Sequence, residues 1–297
     1  VAALFAGLIT GIGAAFGWDA LDPRLRREQQ LRDLLRLPIL ARIPRERPLR
    51  KSRPLLPDEM SFFAAEGYRT LRAMLTSRTA ARRSGVTILV TGSAPSEGKT
   101  TSAINLAAAI AQAGSRVILI EADLRRPTIA ATLGLSPRDG TEDVLIGDVD
   151  LKDALTVVRF QGVPVRVLAV RRPGAELADR LSFATAQQLI KRAKSLSDFV
   201  VIDSPPLTAV MDALPLAKLA DEVVIVARLG NPKLSQIDEL HQLLLQQGKP
   251  PVGVLLIGAP VARGSNYYTA HDNVRLPTDG RSELIEHDVE TITPPAG

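Results

Sequence analysis

The chain contains no cysteine, which excludes a disulfide framework, thiol catalysis and cysteine-ligated metal sites. Its three histidines, His241, His271 and His287, are scattered along the sequence and do not form a ligand set. Aromatic residues are scarce at 4%, so a core has to be built largely from aliphatic side chains. The hydrophobic content of 45% over 297 residues is enough for one, in a large α/β domain with a smaller appendage. Charge is missing altogether from Val1 to Trp18. As a helix that run would measure about 27 Å, close to a bilayer core. A buried soluble helix and a secretory signal compete with this reading, but there is no basic region ahead of the run and no clear cleavage site behind it. The flanks favour a membrane span. Trp18 stands where an interfacial aromatic would stand, and a basic segment follows.

That segment holds Arg24, Arg26, Arg27, Arg32, Arg36, Arg42, Arg45, Arg47, Arg50, Lys51 and Arg53 against Glu28, Asp33 and Glu46. The positive-inside rule puts it in the cytoplasm beside anionic headgroups. Much of the +5 net charge therefore has a membrane explanation, and no nucleic-acid partner is expected. Five prolines between Pro38 and Pro57 predict an extended linker. Beyond it Asp58 is a candidate cap for a helix through Phe62, Tyr68, Leu71 and Leu75. On that helix Glu66, Arg69 and Arg72 recur at i, i+3 and i+6, which by spacing alone reads as a solvated face with an internal ion pair.

The centre of the sequence is Thr91-Gly-Ser-Ala-Pro-Ser-Glu-Gly-Lys-Thr-Thr101. An apolar run, residues 86–90, leads in, and an alanine-rich helical pattern from Ser102 leads out. Strand, glycine-containing loop, Lys-Thr and helix make a phosphate-binding loop. Backbone N–H groups of residues 93–101 (Ser93, Ala94, Pro95, Ser96, Glu97, Gly98, Lys99, Thr100 and Thr101, less the proline) wrap a polyphosphate; Lys99 supplies charge and Thr100 a hydroxyl for magnesium. The four-residue spacing before Gly98 falls on Ser93, with Gly92 one place early. The loop alone suggests nucleotide binding without settling it. Apolar strands at 116–121 and 198–203 end in Glu121, Asp123 and Asp203, carboxylates placed to hold magnesium or accept a proton. Two more apolar runs, 222–227 and 252–257, alternate with helical segments around 184–195, 212–220 and 234–247. The pattern predicts an α/β fold of the P-loop NTPase type, a parallel sheet with helices on both faces.

From about Ser61 to Val261 the sequence resembles the bacterial tyrosine kinases that regulate capsular and exopolysaccharide synthesis. The resemblance is carried by Pro95-Ser-Glu-Gly-Lys-Thr-Thr101, Ile120-Glu-Ala-Asp-Leu-Arg-Arg-Pro127 and Val201-Ile-Asp-Ser-Pro-Pro206, in that order. Gly140-Thr-Glu-Asp-Val-Leu-Ile-Gly147 and Glu66-Gly-Tyr-Arg-Thr-Leu-Arg72 also fit, the second as an oligomerisation motif. The hydrophobic segment and residues 37–44 resemble the end of a fused polysaccharide co-polymerase.

The resemblance implies a transmembrane helix at 1–18, a cytoplasmic linker at 19–57, a kinase domain at 58–262 and a flexible tail at 263–297. It implies ATP and Mg2+, with Lys99, Glu121, Asp123 and Asp203 catalytic and with Thr100, Asp123 and Asp203 on the metal. Glu66, Arg69 and Arg72 would join subunits in a ring, and Tyr267 and Tyr268 would be phosphorylated by a neighbour. The implied partners are other copies of the chain, the polysaccharide polymerisation and export machinery, a protein-tyrosine phosphatase and the anionic surface of the inner membrane. Four departures stand out: Glu121 where the family usually has Asp, Ser96 for a loop glycine, Ile257-Gly258 for a base-contacting Asn, and a short tyrosine tail. Partitioning ATPases of the same fold usually carry a lysine where this chain has Ala94, which argues against that alternative. A non-catalytic nucleotide-binding scaffold is the other.

Overall fold

A computed structural model describes residues 23–46, 56–80, 85–174, 176 and 180–260. The expected membrane span, Arg47, Arg50, Lys51, Arg53 and the tail with Tyr267 and Tyr268 lie outside the described residues. Among the described residues no helix is long and apolar enough to cross a membrane.

The five apolar runs become strands of one sheet: β2 (Val86–Gly92), β3 (Val117–Glu121), β6 (Phe199–Asp203), β7 (Glu222–Arg228) and β8 (Gly253–Ala259). Three further strands, β1 (Ile39–Pro44), β4 (Thr156–Phe160) and β5 (Val163–Leu168), complete the order β1-β8-β7-β2-β6-β3-β5-β4. Every pairing is parallel except β4 with β5. Every residue of β2 is buried, as expected of a strand covered on both faces. Alternate side chains feed two cores. Ile118 and Ile120 of β3 point to one, and Val117 and Leu119 to the other.

The first core is closed by α1 (Glu28–Leu35), α5 (Thr141–Ile146), α6 (Leu151–Ala154), α7 (Phe183–Leu196), α8 (Leu214–Leu219) and α9 (Leu234–Gln246). The second is closed by α2 (Phe62–Thr79), α3 (Lys99–Gln112) and α4 (Ile129–Leu133). Alanine suits α3, which is buried along most of its length: small side chains let its axis lie close to the sheet.

Two expectations change and one element is new. The stretch read as linker contributes α1 and strand β1. Leu40, Ala41 and Ile43 are buried and the strand pairs with β8, while Pro38 and Pro44 stand at its ends, where no ladder donor is needed. The cap of α2 is Ser61, whose hydroxyl accepts from the Ala64 N–H at 3.3 Å and also bonds Glu46; Asp58 sits in the preceding turn. The β4–β5 hairpin was not legible. Its turn, Gln161-Gly162, has φ of 49° and 81°, the left-handed pair that a two-residue hairpin needs, without the usual Asn-Gly signal.

Part of the basic excess is neutralised internally. Glu28 of α1 takes Arg42 of β1 at 2.5 and 2.7 Å and Arg32 at 2.6 and 3.0 Å. The Arg42 guanidinium, with Arg32, holds the Glu28 carboxyl down to about 2, against an ordinary 4.5. A depressed carboxyl stabilises the fold above its unfolded pKa and loses that contribution as pH falls through the folded one. Glu28→Gln should therefore cost about 1 kcal/mol at pH 7, after solvent screening of this partly exposed group. The difference should shrink between pH 4.5 and 2; urea titrations at pH 7 and pH 3 check it.

Candidate active site

Strand β2 delivers the chain into the loop at Gly92, and the loop enters α3 at Gly98, whose φ is 96°. No side chain caps the N-terminus of α3, so its first N–H groups and the helix dipole are left for an anion. The early glycine has a specific reason. A Cβ on Gly92 would fall inside the contact distance of the Glu97 carboxylate and lie 3.1 Å from the Val226 carbonyl. Ser93, at the expected glycine spacing, donates its hydroxyl to Glu97 at 3.0 Å, and the Ala94 N–H donates to Glu97 at 2.8 Å. Glu97 is thus the internal brace of the loop. It is fully buried, and burial pushes its carboxyl up against those hydrogen bonds.

Lys99 is 8% exposed and donates to the Ala94 carbonyl at 2.8 Å. Burial lowers its ammonium, opposed by Glu97, Asp203 and Asp123. A loop on the far side steadies the backbone: Asn231 donates to the Pro95 carbonyl at 2.9 Å and Arg228 to that of Ser96 at 3.4 Å. That loop is bonded in turn to residues 23–25, with Leu25 N–H on the Pro232 carbonyl at 2.9 Å and Gly230 N–H on the Leu25 carbonyl at 2.7 Å. Ser96 has a φ of 61°, so a side chain occupies a left-handed position that favours glycine.

The loop forms one wall of a cavity of about 860 Å³. Pro95, Ser96, Gly98, Lys99, Thr100 and Thr101 line it, facing Asp123, Arg126, Thr128 and Pro206. Of the expected site residues, Ser93, Ala94 and Glu97 lie beneath that lining. Asp123 is half-buried and accepts the Arg126 N–H at 2.9 Å. Asp203 lies behind the cavity wall, level with Glu121 on β3 and Val90 on β2. It is 1% exposed and neither carboxylate oxygen has a hydrogen-bond donor. Burial pushes its carboxyl up to about 8; the nearby Thr100 hydroxyl and Lys99 offset part of the rise, while Glu121 and Asp123 add to it. Glu121 is also buried, but its oxygens take the backbone N–H groups of Thr128, Ile129 and Val170 at 2.5, 2.7 and 2.9 Å.

Glu66 and Arg69 pair at 3.0 Å on the exposed face of α2, and Arg72 reaches the Ala109 carbonyl at 3.4 Å. Tyr68 is packed inside, its phenol pushed up to about 12 by burial. Sequence reasoning missed Arg126, Thr128, Arg228 and Asn231. The first two directly follow the Asp123 strand end, and that adjacency was the available signal.

The donor set suits a magnesium nucleotide. Asp203 carries two buried oxygens without partners, and the Thr100 hydroxyl and Asp123 stand near them, all hard ligands. Among the described residues no three acidic or histidine side chains form a closed cation cage. A cation here would complete its shell with phosphate oxygens, as magnesium does.

Residues 87–246 match a family model described as an AAA domain. The chain is 30% identical over 211 residues to the tyrosine-protein kinase YwqD of Bacillus subtilis, covering 70% of this chain and 88% of that one. It belongs to the bacterial tyrosine-protein kinase family. It is 31% identical over 196 residues to the tyrosine-protein kinase wzc of Salmonella typhimurium, covering 65% of this chain and 26% of that longer relative. The kinase domain of the Escherichia coli tyrosine kinase ETK superimposes with a TM-score of 0.68 at 27% identity, covering 80% of this chain and 98% of that domain. Family membership agrees with the motif order and with the parallel sheet ending at the phosphate loop.

Two substitutions test the loop. Gly92→Ala should weaken Mg·ADP binding at least about 10-fold, because the Cβ displaces the Glu97 brace; fluorescence titration measures it. Ser96→Gly should raise stability by about 1 kcal/mol by removing a side chain from a left-handed position, read as an upward shift in Tm.

Proposed function

We propose that the chain is an ATP-dependent protein-tyrosine autokinase, anchored at the bacterial inner membrane with its kinase domain in the cytoplasm, that regulates the synthesis, chain length and export of a capsular or exopolysaccharide. The observation that carries the reading is the buried, unpartnered carboxylate of Asp203 behind Thr100 and Lys99, at the C-terminal edge of the sheet. A carboxylate kept out of water without a donor is costly unless a cation is its partner.

In the proposed reaction the α3 N-terminus and the loop N–H groups orient the triphosphate, and Lys99 supplies charge to the β- and γ-phosphates. Magnesium, held by Thr100, Asp203 and Asp123, would neutralise charge on the phosphate oxygens. A tyrosine oxygen forms a bond to the γ-phosphorus as the bond to the β-bridging oxygen breaks, leaving ADP. Asp123, the carboxylate on the cavity wall, holds the metal or takes the tyrosine proton. Phosphoryl transfer needs little beyond positioning and charge stabilisation, and the cavity offers both.

Glu66, Arg69 and Arg72 on α2 are the proposed contact to the next subunit of a ring, and Tyr267 and Tyr268 the acceptors delivered to that neighbour. The export machinery, a protein-tyrosine phosphatase and the anionic membrane surface are the proposed partners. The full chain incubated with labelled ATP and magnesium should accumulate phosphotyrosine. Lys99→Met should lower the rate by about 100-fold or more, and Tyr267→Phe with Tyr268→Phe should remove the label. An unlabelled native protein overturns the kinase reading and leaves a nucleotide-binding scaffold; label persisting without both tyrosines overturns only the acceptor assignment.

A further inference from the structure

The turn Gly140-Thr-Glu-Asp143 takes no part in the proposed transfer, yet its polar groups are buried and engaged. Glu142 accepts the backbone N–H groups of Arg171 at 3.2 Å and Arg172 at 2.8 Å. Asp143 accepts the Gly140 N–H at 2.8 Å and the guanidinium groups of Arg172 at 2.7 Å and Arg171 at 3.2 Å. Gly140 must be glycine, since a Cβ there would lie 2.7 Å from the Arg171 nitrogen. The Thr141 hydroxyl donates to the Glu121 carbonyl at 2.9 Å. The turn therefore clasps the backbone leaving β5 and ties it to the end of β3.

Glu121 continues the same clasp. Its Oε2 takes the Val170 N–H of the strand leaving β5, and its Oε1 takes Thr128 and Ile129 at the start of α4. Burial pushes the Glu121 carboxyl up and the three amide donors oppose that rise; its side chain is absent from the cavity lining. The six residues between Glu121 and its first anchor at Thr128, 122–127, include Asp123 and Arg126.

We infer that Glu121, expected from the resemblance to be catalytic, is instead a positioning residue: its carboxylate straps β3, α4 and the exit of β5 together and so fixes the loop that presents Asp123 and Arg126 to the cavity. This rests on the proposed role of Asp123. It also gives the extra methylene a purpose. An aspartate at 121 would draw its carboxylate back by up to about 1.5 Å, one C–C bond length, and could not hold amides on both α4 and the β5 exit. A glutamine would turn an N–H2 toward a backbone N–H.

The test uses the full chain and its Glu121→Asp, Glu121→Gln and Asp123→Asn variants, compared per nucleotide-binding site well below their melting temperatures. The strap predicts that both Glu121 variants lose about 10- to 100-fold in kcat, the scale of a misplaced catalytic group. KM for ATP and the magnesium concentration for half-maximal binding of a fluorescent ADP should stay within about twofold, since Glu121 touches neither. Asp123→Asn should shift the magnesium dependence or the pH profile instead. In the native protein the Thr128, Ile129 and Val170 amides should exchange slowly with deuterium, and in the variants faster. A Glu121→Asp variant with native kcat, a roughly tenfold shift in magnesium dependence, or fast exchange at these amides in the native protein each overturns the inference. If the native chain makes no phosphotyrosine, the kinase reading fails, while magnesium binding and amide exchange still decide the strap.

Discussion

Four ionisable side chains, Glu97, Lys99, Glu121 and Asp203, are held out of water where the parallel strands β2, β3 and β6 end. Desolvation works against the charged form of each, so each has to be met by a dipole, a counter-charge or a ligand. Glu97 is met by Ser93 and Ala94, Lys99 by a loop carbonyl and surrounding carboxylates, and Glu121 by three amides. Asp203 alone among the four has no well-formed hydrogen bond, with only the Thr100 hydroxyl close by as a donor, and it stands level in register with Glu121. The proposed magnesium site is built on that one unmet group.

The rest of the fold keeps these groups level. The in-register pairs Val90 with Asp203 and Glu121 with Asp203 set the strand ends at one height. The cores on the two faces make slippage costly, because a one-residue shift would turn every apolar side chain to the wrong face. Backbone bonds then reach the cavity from both sides. Residues 23–25 brace the 230–234 loop, whose Asn231, with Arg228 at the end of β7, holds the phosphate loop. On the other side the Gly140–Asp143 turn and Glu121 hold the loop bearing Asp123.

The central strands were legible because a strand buried on both faces must be almost wholly apolar, and few other segments look like that. The phosphate loop was legible because Lys-Thr after a glycine, opening a helix, is set by local backbone geometry. Strand β1 was obscured by its flanking prolines, and the β4–β5 hairpin by half-exposed strands and an uncommon turn. The mismatch at Gly92 and Ser93 could be seen in the sequence but not explained. Its cause is Glu97, four residues beyond Ser93, folding back to fill the space a side chain at Gly92 would need.

By itself the sequence determined the fold class, the phosphate loop, the family and the set of acidic residues at the strand ends, because these depend on short-range pattern and on residue type. Only the tertiary structure shows what each carboxylate is bonded to. Glu121 and Asp203 look alike as acidic ends of apolar strands, and both are buried. They differ in what the neighbouring strands and helices bring to them: three backbone amides for Glu121, none for Asp203. In a desolvated site the donors within reach fix a carboxylate's role, and those donors come from residues distant in the chain.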